Sequence, residues 1–212
     1  MYRSNQSFPA WCELRSFDIL DLVEGQEMPQ ERRAAKECLI ATTGTTQLIL
    51  PDGSVVLKEN QFYELPADSW RLRGCSATAQ VVRLSGRWGA DLGGCGIFRV
   101  IRQDNPVNRG DPVSYPKTTS VDVHYHDCDE YWIMLEGAGT AAIGERQIPV
   151  RPGDCVTIGM GPPPRLPAGR CAGQGGVLRD HAARRQTRRS PVEPHPRSGA
   201  TQAREDLTCQ SA

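Results

Sequence analysis

Short alternating runs of apolar and polar residues, punctuated by glycine and proline, lay out this chain. Residues 16 to 24 (Ser-Phe-Asp-Ile-Leu-Asp-Leu-Val-Glu) alternate enough to form a strand, which Gly25 and Pro29 are expected to break. Residues 37 to 44 are rich in β-formers and stop at Gly44. Thr45 to Leu50, the turn Pro51-Asp52-Gly53, and Ser54 to Lys58 read as a hairpin. Further short strands are expected around 61–65, 69–73, 79–84 and 97–101. Regularly spaced short strands separated by turn residues predict an all-β sandwich or barrel.

The first half mirrors the second. With Ile40 set against Ile133, Gly44 falls on Gly137, Glu37 on Glu130, and Asn60-Gln61 on Gly153-Asp154. The turn at Gly53 answers the one at Gly144. The positions matching His124 and His126 carry Glu31 and Arg33. Two small repeats follow, residues 16–85 and 97–168, the first without the histidines. Between them lies a glycine-rich bend that lacks the G-x-G-x-x-G order, so no dinucleotide site is supported. Residues 104–117, with three prolines, read as a loop over the barrel mouth.

Composition changes beyond residue 170. From there to residue 212 the chain has no Lys, Ile, Phe, Tyr, Trp or Met. Such a segment buries too little apolar surface to offset its ordering entropy, so a disordered tail over 170–212 is expected. The first 15 residues are expected to be mobile as well.

Candidate chemistry concentrates in residues 121 to 137, Val-Asp-Val-His-Tyr-His-Asp-Cys-Asp-Glu-Tyr-Trp-Ile-Met-Leu-Glu-Gly. The spacing is H-x-H-x3-E-x6-G. Side chains two apart on a strand share a face about 7 Å apart, which aligns His124 with His126. If the chain turns after Asp127, Glu130 returns beside them from the next strand. Two imidazoles and a carboxylate suit Fe(II), Mn(II) or Zn(II). If Glu130 points inward, Trp132 and Met134 do too, as cavity lining or as ordinary core. Cys128 lies between the ligands in sequence and reads as a loop residue facing solvent.

This segment resembles the first motif of the cupin superfamily, and Pro152-Gly153-Asp154-Cys155-Val156-Thr157-Ile158 resembles the element that follows it. The resemblance spans about residues 16 to 161. It implies a cupin-like antiparallel β-barrel (double-stranded β-helix or jelly roll), here bicupin-like with a degenerate first copy. It also implies a divalent metal held by four protein ligands: His124, His126, Glu130 and a histidine shortly after the Pro-Gly-Asp turn. Counting along the family pattern puts that histidine at about position 164, where Pro164 stands in Gly161-Pro162-Pro163-Pro164-Arg165. Successive prolines cannot donate to a ladder, so the strand there is expected to end or run along an edge. Related cupin sequences carry a run such as His-His-His-Asp at this place. The codons CAC-CAC-CAC-GAC with one extra C in front read Pro-Pro-Pro-Arg, so a shifted frame over 162–212 would explain both the prolines and the tail.

Global properties narrow the function. Lys and Arg balance Asp and Glu, 25 each. Neither nucleic acid nor an anionic membrane is thereby favoured. No apolar run reaches the ~18 residues of a membrane span, and a cytoplasmic location is expected. The cysteines, at 12, 38, 75, 95, 128, 155, 171 and 209, form no C-x-x-C pair and read as reduced, buried small residues. No Ser-His-Asp triad can be assembled. Resemblance to cupins implies a metal-binding protein acting on a small molecule, a sugar among the candidates, as isomerase, epimerase or oxygenase. The alternatives are a small-molecule-binding module without turnover and an inactive truncated or frameshifted relative. Homodimerisation through edge strands is a further implication of the resemblance.

Overall fold

The computed structural model describes residues 1–4, 6–89, 94–100, 129–159, 164–169 and 173–180. All regular structure among them is β. The first half holds β1 (Leu14–Val23), β2 (Glu27–Glu31), β3 (Lys36–Thr43), β4 (Thr45–Leu50), β5 (Gly53–Lys58), β6 (Phe62–Glu64), β7 (Ser69–Gly74) and β8 (Thr78–Gly86). The second holds β9 (Gly94–Val100), β10 (Asp129–Glu136), β11 (Gly139–Ile143), β12 (Arg146–Val150), β13 (Cys155–Ile158), β14 (Pro164–Gly169) and β15 (Gly173–Asp180).

Each half folds into two facing antiparallel sheets. In the first they run β1-β8-β3-β6 and β2-β7-β4-β5. In the second they run β9-β15-β10-β13 and β14-β11-β12, the same order strand for strand among the described residues. The likeness extends to single hydrogen bonds. Asn60 N–H donates to the Ala41 carbonyl at 2.8 Å and Ala41 N–H to the Gln61 carbonyl at 2.9 Å. Gly153 N–H donates to the Met134 carbonyl at 2.9 Å and Met134 N–H to the Asp154 carbonyl at 2.8 Å. The Gln61 side chain accepts from Lys58 N–H, as Asp154 does from Arg151 N–H. Asn60 (φ 69°) takes the left-handed conformation of Gly153 (φ 83°). All these pairs keep the one spacing that aligns Ile40 with Ile133.

Alternation along the strands separates three cores. Leu39, Ala41, Leu48, Leu72 and Val81 fill the first half. Phe98, Trp132, Met134, Val156 and Ile158 fill the second. The opposite faces of β3, β8 and β10, with Cys38, Ile40, Leu84, Tyr131 and Ile133, form a third layer that joins the halves.

Four expectations are corrected. Pro29 does not break the chain but sits in β2, opposite Arg71. That strand is the last of its sheet, where a missing N–H costs no ladder bond. The N-terminal residues are tied down rather than mobile. Tyr2 exchanges backbone hydrogen bonds with Cys155 (2.8 and 2.7 Å), Arg3 pairs with Asp154 at 3.0 Å, and Phe8 is buried. Of the tail expected to be disordered over 170–212, residues 173–180 instead form β15, between β10 and β9, and the others lie outside the described residues. Ladder bonds come from the backbone, so a strand paired on both sides tolerates a glycine-rich sequence. Finally, Cys75 is disulfide-bonded rather than reduced, whereas Cys12, Cys38, Cys95 and Cys155 are free and buried. β14 begins at Pro164 opposite Ile143, and the stretch matching β2, which flanks its counterpart β7, lies outside the described residues.

Candidate functional site

β10 carries the one expected metal ligand whose surroundings are described. Glu130 is fully buried, opposite Ile158 of β13 on one side and Arg179 of β15 on the other. It shares its phase with Trp132 and Met134, which lie in the core of the second half. Those two side chains are ordinary core packing. Tyr131 and Ile133 take the opposite face, in the layer between the halves. His124, His126 and Cys128 lie outside the described residues. Among the described residues no group of three or more His, Cys, Asp or Glu side chains is placed to hold a metal ion.

The first half shows what this part of the fold gathers. Glu37, the counterpart of Glu130, is buried on β3, and its carboxylate meets the fully buried guanidinium of Arg83 at 2.5 Å. Ser85 Oγ donates to the same Glu37 oxygen at 3.0 Å, and Arg33 N–H does so at 2.9 Å. Arg83 also donates to the Gln30 side chain at 3.0 Å and to the Glu31 carbonyl at 2.5 Å. Its guanidinium carbon lies 5.2 Å from the centroid of the Trp70 ring. Glu31 and Arg33 are the counterparts of His124 and His126. Of the three positions matching the expected ligands, Glu37 by its carboxylate and Glu31 by its carbonyl meet this cationic group, whereas Arg33 reaches it only through its N–H on Glu37 and turns its exposed side chain to Asp18.

Strand register identifies the fourth. Ile49 pairs with Arg71, and its counterpart Ala142 pairs with Arg165. One residue back in each strand, Trp70 matches Pro164. The position at which family spacing expects a histidine thus corresponds to the aromatic ring that covers the Arg83 cation. A cleft of about 700 Å³, lined by Gln30, Glu31, Arg33, Leu50 and Trp70 among others, lies against this cluster.

Sequence reasoning found Glu37 and Glu130 but missed Arg83 and Trp70. A signal for Arg83 was present: it interrupts the apolar run Val81-Val82-Arg83-Leu84, where a charge is admitted only with a partner. Asp154 works as a turn former, since it accepts from Arg151 N–H at 3.0 Å and pairs with Arg3. Next to Glu130, the Tyr131 hydroxyl accepts from the Glu13 and Leu14 N–H groups at 2.8 and 3.3 Å and donates to Asp129 at 3.3 Å. Burial raises the pKa of Tyr131, chiefly by desolvation, and raises that of Asp129 for the same reason. Tyr131 is thereby held as a neutral hydroxyl.

No family model matches the chain. It is 45% identical to the uncharacterized protein y4oW of Sinorhizobium fredii over 164 residues, 76% of this chain and 75% of that one. Among solved structures, YhaK from Escherichia coli aligns over 85% of this chain and 94% of its own with a TM-score of 0.54 at 12% identity. AerE from Microcystis aeruginosa aligns over 79% and 91% with a TM-score of 0.56 at 9% identity. Vicilin from hazelnut, Corylus avellana, aligns over 80% and 75%, also at 0.56 and 9%. At these identities the likeness is one of fold, the double-sheet jelly roll.

Proposed function

Because the chain belongs to the same family as protein y4oW, shares a double-sheet jelly-roll fold with structures such as YhaK, and carries at residues 121–137 a segment resembling the first cupin motif, we propose that it is a metal-binding cupin that acts on or binds a small molecule. His124, His126 and Glu130 are its ligands, and Fe(II), Mn(II) or Zn(II) its ion. The observation that carries this reading is the arrangement in the first half: the Glu37 carboxylate, the Glu31 carbonyl and the Trp70 ring surround the Arg83 cation and Arg33 N–H donates to Glu37, and the counterparts of Glu37, Glu31, Trp70 and Arg33 are Glu130, His124, Pro164 and His126. The donor set fits such an ion, two imidazoles and one buried carboxylate. A bound ion would supply Lewis-acid or oxygen-binding chemistry to a substrate hydroxyl or carbonyl. Glu130 would hold such an ion from a strand paired on both sides, and the core residues Trp132, Val156 and Ile158 would keep that end dry. Activity as a sugar isomerase, epimerase or oxygenase is the catalytic form of this proposal; binding without turnover is the other.

Pro164 favours a second reading, that of an inactive relative. Proline offers no donor atom at the position matching Trp70, so the ion would have three protein ligands instead of four. Metal analysis after gentle purification tests the proposal: about one Fe, Mn or Zn per chain is expected, and Glu130→Gln should abolish it. Pro164→His should tighten metal binding at least about tenfold, on the scale of one added ligand. A chain that takes up no metal in either form would remove the proposal. An open strand-like reading frame next to codons 162–212 of the gene would favour the frameshifted form.

A further inference from the structure

The first half contains a cluster that a merely decayed site would not need. Arg83 and Glu37 are each fully buried in their side chains and touch at 2.5 Å. Burying two charges costs several kcal/mol per ion, which only excellent geometry and further hydrogen bonds offset. Arg83 has the further hydrogen bonds: Glu37, the Gln30 side chain and the Glu31 carbonyl accept from its two terminal nitrogens, and the Trp70 face covers it, while Arg83 Nε and Glu37 Oε2 have no partner among the described residues. A cation over an indole face within ~6 Å is itself favourable when desolvated. Ser85 and the Arg33 amide both add donors to the Glu37 oxygen that meets the guanidinium. The groups around Arg83 are therefore arranged as a coordination shell, two oxygen acceptors from the entering strand, one carboxylate and one π-face, with the guanidinium at its centre.

We propose that the first half is a cation site filled by its own chain, the Arg83 guanidinium standing where the second half would take an ion from solution. It requires no metal in the second half, so it can fail or stand independently of the reading above. The class of ligand is specified by the shell: a planar, multiply donating cation whose donors reach three separate oxygen acceptors beneath an aromatic face, which a guanidinium is and a compact ammonium is not. The neighbouring cleft of about 700 Å³ is lined by Gln30, Glu31 and Trp70, three members of the shell, with Arg83 and Glu37 buried behind them.

The test removes the tethered cation and offers a free one. Arg83→Ala should lower the Tm of the full chain by roughly 10 °C, the scale expected when one partner of a buried pair is lost. Methylguanidinium at 1–20 mM should restore several degrees of that loss along a saturating curve. Methylammonium at equal concentration should not, and the unaltered chain should respond to neither. Equal effects of the two cations on Arg83→Ala, or none from either, would overturn the proposal. Should Arg83→Ala fail to fold, Arg83→Met, Glu37→Met and the double variant decide it. A cation held by its carboxylate predicts a double variant more stable than Glu37→Met alone, which strands the buried guanidinium. A double variant that loses the sum of the two single effects, or fails to fold, counts against it.

Discussion

Cys12, Cys38, Cys95 and Cys155 lie in the layer between the halves, each at least nine-tenths buried. Burial is the main cause that raises the thiol of Cys12, to about 11, and it raises Cys38 and Cys155 well above the ordinary 9.0. At Cys12 a hydrogen bond with Tyr131 works the other way but is the smaller effect. Cys38 is raised further by its contact with Cys95 across the two halves. At pH 8 about one Cys12 in a thousand would be thiolate, which is the reactive form. Iodoacetamide at that pH is therefore expected to leave these four unmodified in the folded chain and to label them in guanidinium chloride, as counted by intact mass. The same shifts set a sign for stability. Above pH 9 the unfolded thiols release protons that the folded ones keep, so stability falls as pH rises from there toward the raised values. Denaturation midpoints taken at pH 8 and pH 10 would show it, and a midpoint that climbed instead would contradict the burial of these thiols.

Strand ends in this molecule are set by a few backbone positions. Gly44 (φ 67°) closes β3 as Gly137 (φ 72°) closes β10. A side chain on Gly44 would run into the Thr78 carbonyl and the Ser76 hydroxyl, and the carbonyl belongs to a paired strand that cannot yield. Gly44→Ala should cost about 2 kcal/mol or more, from strain and overlap together. Gly144→Asn should be nearly neutral, because its φ of 56° suits Asn and a side chain there meets nothing within 4 Å. Urea midpoints of the two variants make the comparison. Such punctuation is also what made β1, β3 and the β4–β5 hairpin readable in advance, since turn residues bound each run of alternating side chains. β2 was hidden by Pro29, whose lost donor does not matter at a sheet edge. β15 was hidden because composition reports what side chains bury and not which backbones pair. Of the candidate site, Glu130 and its counterpart Glu37 were legible from spacing alone. The Arg83–Trp70 arrangement was not, because its members come from β7 and β8 and meet Glu37 only through sheet register.

The two halves are held as one body by the shared layer and by the N-terminal segment. That segment begins beside β13, where Tyr2 pairs with Cys155 and Arg3 with Asp154, before the chain enters β1 of the other half. Tyr2 stacks on Phe8 at 5.3 Å, and Phe8 meets Phe17 of β1 edge-on at 6.3 Å. Tyr131 ties the far end by accepting two backbone N–H bonds from Glu13 and Leu14. Tyr131→Phe keeps the ring and strands those two donors. It should cost about 1–3 kcal/mol, a few degrees in Tm, with faster hydrogen exchange at Glu13 and Leu14. Unchanged exchange there would show that the hydroxyl does not hold the segment.

The pairing of Tyr2 with Cys155 also orders events during biosynthesis. Tyr2 is made well before its docking strand β13, so the first half must wait with this segment unpaired. Contacts this distant along the chain slow folding. Until β13 has been made, Tyr2 and Phe8 stay uncovered, and closure of the layer between the halves is a step that follows the emergence of that strand.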